Sequence, residues 1–176
     1  MMGRTSCRRF ARETSGASAL EFAIIAPLFF AILFSVAEAG WMMTRAILLD
    51  RALDLAVREL RVDSSDSLTA DAVRRLICDE AMVIPNCARS IAVELSRIQS
   101  DADFPSASPT CVDRNAGSAP SPQFYGSARA TIMLIRVCAT ATPLTPLLGM
   151  GLNMHKDGND DYNLVSSSAF MTEPGT

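Results

Sequence analysis

Gly16-Ala17-Ser18-Ala19-Leu20-Glu21-Phe22 opens a long apolar run, and the reading of that run decides the fold. It is uncharged from Phe22 to Ala37 and stays apolar past Glu38 to Met43. At ~1.5 Å of rise per residue, a helix from Ala17 to Met43 can cross a hydrocarbon core of ~30 Å. Pro27 lies inside the run. Proline removes a backbone hydrogen bond, which transmembrane helices tolerate where neighbours compensate. Glu21 stands at the mouth of the span, where an ionised carboxylate costs at least ~2–3 kcal/mol. A chain that accepts this cost needs the charge for a partner.

Working outward, Arg4, Arg8, Arg9 and Arg12 precede the run and acidic residues follow it. The positive-inside rule therefore places the N-terminus in the cytoplasm and the body outside. The expected division is a basic leader over 1–16, a transmembrane helix over 17–44 and an α+β domain over 45–176. The chain has 176 residues and a net charge of −3, enough for one anchor and one modest domain. The leader is basic and the body mildly acidic, with no basic patch, which argues against a nucleic-acid partner. A cleaved secretory signal is the competing reading, since Ser35-Val36-Ala37 and Ala37-Glu38-Ala39 resemble cleavage sites. Such signals have apolar cores of only ~7–15 residues, and the length of the run and Glu21 speak against one.

Beyond the membrane the helix is expected to continue to about Arg61. Leu49, Leu53, Ala56, Val57 and Leu60 form a helical stripe, with Asp50, Arg51, Asp54, Arg58 and Arg61 on the opposite face. Asp63-Ser64-Ser65-Asp66-Ser67 breaks it. A second helix fits Thr69 to Met82, with Thr69 as N-cap and Val73, Leu76, Ile77 and Ala81 on one face. The remainder predicts an antiparallel sheet of about three strands. Ser90–Ile98 alternates as a half-buried strand, Ala128–Thr142 is a strong strand ended by Pro143 and Pro146, and Tyr162–Met171 is the last. Asp101–Pro122, rich in Ser, Pro, Ala and Asp, predicts a surface loop tethered at Cys111. Leu147–Leu152 is read as a short helical turn and His155–Asp161 as a hydrophilic loop.

Of the five cysteines, Cys7 lies in the leader. Cys78, Cys87, Cys111 and Cys138 form an even set in the external part, where oxidising compartments favour disulfides. Three pairings are open. Cys78–Cys87 with Cys111–Cys138 is favoured because the first closes a short loop around Pro85-Asn86. A zinc site is disfavoured by the spacings and by the distant position of His155, the only histidine. Asp157-Gly158-Asn159-Asp160-Asp161 lacks the spaced ligands of a calcium loop, and Gly149-Met150-Gly151 lacks a phosphate-loop signature. No enzyme, metal or cofactor is indicated.

Gly16 followed by Glu21 resembles the processing site of type IV-like prepilins, which are cut after the glycine and carry a glutamate fifth in the mature chain. Counted from Ala17, Glu21 is fifth. The Glu21-Phe22 pair resembles the tight-adherence (Flp) pilus subfamily. Tyr162-Asn163-Leu164-Val165-Ser166-Ser167-Ser168-Ala169-Phe170-Met171-Thr172-Glu173-Pro174 looks like the closing strand of TadE-like pseudopilins. The resemblance implies a pseudopilin or minor pilin of the bacterial inner membrane with a periplasmic body. Its partners would be a prepilin peptidase, other pilins or pseudopilins and the assembly platform. A peptidase would cut between Gly16 and Ala17, and glycine there lets backbone approach the catalytic aspartates closely. Glu21 would neutralise the new amine of a neighbouring subunit. The alternative is an uncleaved bitopic protein with a periplasmic ligand-binding or sensory domain.

Overall fold

A computed structural model describes residues 16–62, 69–113, 130–146, 150–153, 156 and 159–171. The class is α+β: a long N-terminal helix, a second helix and a three-stranded antiparallel sheet. Helix α1 runs from Ala17 to Val62 without interruption and includes Pro27. Helix α2 covers Ala70–Glu80, and Thr69 caps it by accepting from the amide of Ala72 at 3.3 Å. That bond satisfies one of the free donors of the first turn. A short helix α3, Cys87–Ser90, leads into β1, Ile91–Ile98. A 3-10 turn follows at Asp101–Asp103. Strand β2 is Ile132–Ala141, α4 is Met150–Asn153 and β3 is Tyr162–Met171. The leader to Ser15, the break at 63–67, residues 114–129, 147–149, His155, Asp157-Gly158 and 172–176 with Glu173-Pro174 lie outside the described residues.

The strand order is β1-β2-β3, with Val93 opposite Val137 and Val137 opposite Ser166. Alternation on the strands turns one set of side chains inward. Val93, Leu95, Met133, Ile135 and Phe170 meet the stripe of α1, Leu49, Leu53, Ala56, Val57 and Leu60, and the inner side of α2, Val73 and Ile77. Each such aliphatic side chain contributes ~1.5–3 kcal/mol when fully buried. The charged face of α1, from Asp50 to Arg61, is exposed.

One expectation changes. Strand β1 is not half-buried: Ala92 and Ile98, on its outer face, are buried as well. The segment that opens with the 3-10 turn is exposed over most of residues 101–110, as a surface loop, and is tied down on the outer side of the sheet around Cys111. Cys111 is bonded to Cys138, the Thr140 hydroxyl donates to Val112 O at 3.1 Å, and Arg136 Nη1 donates to Ala107 O. Arg136 also pairs with Glu94 across the strands at 2.7 Å.

Candidate functional site

Helix α1 divides into two stretches. From Ala17 to Phe30 its side chains face outward, apart from a partly covered Ala26, and no described part of the chain buries the apolar window. By length and composition this helix is able to cross a membrane. From Ser35 onward the body folds onto it.

Three polar side chains make that junction. Glu38 is fully buried. Its Oε1 accepts from the amide of Leu144 at 3.0 Å, and its Oε2 accepts from the amide and hydroxyl of Thr145 at 2.8 and 3.0 Å. Ser35 Oγ, one helical turn below, accepts from the amide of Met150 at 3.0 Å and donates to Ala31 O. One face further up, Arg45 donates to Thr142 O and to the Tyr162 hydroxyl, both at 2.8 Å, and its guanidinium lies 5.2 Å from the centre of the Trp41 ring. Charge-assisted bonds of this kind are stronger than neutral ones. The loop between β2 and α4 is thereby tied to α1, and Gly151 is required there: a Cβ would run into the Thr145 carbonyl.

At the other end, Gly16 immediately precedes α1, Ala17, Glu21 and Phe22 occupy its first turns, and all are exposed. The amide of Leu20 donates to Gly16 O at 3.1 Å, which starts the helix. A Cβ on Gly16 would meet nothing within 4 Å among the described residues, whose packing makes no demand for glycine there. Ala17 and Glu21 share a helix face one turn apart. Residues 16–58 match the model of the TadE-like protein family. The TadE-like segment thus starts at Gly16, takes in the exposed stretch and the Glu38 junction, and ends within the buried stripe. It does not reach β3. Neither the curated proteins nor the solved structures hold a significant match.

The cysteines lie apart from the TadE-like segment. Cys78, on α2, is bonded to Cys87 at the start of α3, and Cys111 to Cys138 on β2. A cleft of about 550 Å³ between α1 and α2 is lined by Leu55, Glu59, Val62, Leu76, Asp79 and Glu80 among others. Ser35, Glu38 and Arg45 were not singled out from sequence as functional residues. A signal was there: Glu38 is a second carboxylate in an apolar run, and Arg45 follows it seven positions on, on the same face of the helix.

Proposed function

We propose that this chain is a pseudopilin or minor pilin that serves assembly of a tight-adherence pilus. The observation that carries the reading is an apolar helix left bare by its own body, opening on Gly16, Ala17, Glu21 and Phe22 inside a TadE-like match. A bare apolar surface of this size needs either lipid or the helices of other subunits to cover it. In this reading α1 sits in the inner membrane with the N-terminus cytoplasmic and the body periplasmic. A prepilin peptidase cuts between Gly16 and Ala17, and Glu21 then pairs with the amine of Ala17 in an adjacent subunit. An opposite charge there offsets the cost of holding both groups in lipid-like surroundings.

N-terminal sequencing of the membrane-fraction protein tests the cut. The mature chain should begin at Ala17, and Gly16→Leu should leave full-length precursor. An unchanged mature mass in that variant refutes the processing step, and an intact N-terminus in the parent chain favours the uncleaved anchor instead.

A further inference from the structure

We propose that the corner of the body formed by Leu144 and Leu152 is a second lipid contact, so that the body rests flush on the bilayer surface; this builds on the membrane-anchored reading of α1. Leu144 is 54% exposed and Leu152 60% exposed. Both are held at the level where α1 leaves its bare stretch. Leu144 donates its amide to Glu38, and Leu152 lies on α4, whose Met150 donates to Ser35. A hydrocarbon core of ~30 Å takes about 20 helical residues, which counted from Ala17 ends at this same level, short of the 17–44 span the apolar run suggests. The two leucines therefore meet the acyl-chain boundary beside the helix.

The backbone of the corner suits that position. Peptide groups near hydrocarbon lack water to bond with and must be satisfied inside the protein. The amides of Leu144, Thr145 and Met150 are satisfied by side chains of α1. In the same way the loop encloses the Glu38 carboxylate, which would otherwise face lipid. Of the described residues here, Leu144 and Leu152 are turned outward and Glu38 inward.

Tryptophan fluorescence in vesicles tests this. Trp41 is the only tryptophan, so Trp41→Phe gives a silent background for the full chain. Single reporters are Leu144→Trp and Leu152→Trp at the corner, Phe30→Trp on the bare helix and Phe104→Trp beyond the opposite end of the sheet. The vesicles are phosphatidylcholine with phosphatidylglycerol, with and without bromine on the upper acyl chain. Both corner reporters should be quenched several-fold more than Phe104→Trp and approach Phe30→Trp. Because they sit on separate segments, neither result depends on one substitution's effect on folding. Quenching at the corner no stronger than at Phe104, with Phe30→Trp quenched, overturns the proposal and leaves the anchor standing. A blue shift at the corner without quenching also overturns it, in favour of cover by another protein chain. An unquenched Phe30→Trp overturns the membrane anchor itself.

Discussion

Glu21 and Glu38 are carboxylates of one helix in opposite circumstances. Glu21 is exposed among apolar neighbours, whereas Glu38 has both oxygens occupied by donors from a distant loop. Glu38→Gln would keep one acceptor and turn its NH₂ group against amides that also donate. We expect a loss of about 1.5–3 kcal/mol, the range for hydrogen bonds to a charged group, read as a lower urea midpoint in detergent. Asp103 gives a pH-dependent counterpart. The amides of Gln99 and Ser100 donate to its carboxylate, each at 2.8 Å, and the Ser100 hydroxyl adds a third contact. These bonds, Gln99 first, hold its pKa below the ordinary value. A depressed carboxylate stabilises the fold above its unfolded pKa, and that contribution is lost as pH falls through the folded value. Protection of the Gln99 and Ser100 amides, relative to their intrinsic exchange rates, should fall on acidification across that window, and Asp103→Asn should remove that dependence. Exchange independent of pH beyond its intrinsic base catalysis would contradict this.

At the level of elements, periodicity carried most of the reading. The stripe from Leu49 to Leu60, the cap at Thr69 and the alternation in Tyr162–Met171 each declared their element, because each repeats a local rule over enough residues to be unmistakable. What stayed hidden was non-local. Nothing around Ala92 announces that it will be buried, and nothing in Leu144-Thr145 says that its amides will seek Glu38, because these contacts arise only when distant stretches meet. The Cys111–Cys138 bond, a non-local contact, is the pairing the sequence favours. Replacing both cysteines by serine should cost ~2–4 kcal/mol by the chain-entropy argument. It should also raise amide exchange at Val112 while leaving Thr69–Glu80 protected. Equal loss of protection in α2 would mean that the bond supports the whole core, not the segment around Cys111.

For the whole molecule, the assembly reading separates insertion from association. Glu21→Gln removes the charge at nearly constant shape and leaves Gly16 in place. The variant should be processed and membrane-inserted yet fail to support piliation, since breaking one member of a buried pair costs ~3–5 kcal/mol. Normal surface attachment by cells carrying it would reduce Glu21 to an interfacial residue. The continuity of α1 has a mechanical side as well. The anchor and the stripe that carries the body are one rod of 46 residues. Both disulfides close loops outside that rod. Tension applied to the body against a fixed anchor is then shared between the backbone that leaves the rod at Val62 and the side-chain packing and bonds of Ser35, Glu38 and Arg45 along it. Under load the protein should part at that seam, the sheet and its crosslinked loops coming away intact while the helix stays where it was rooted.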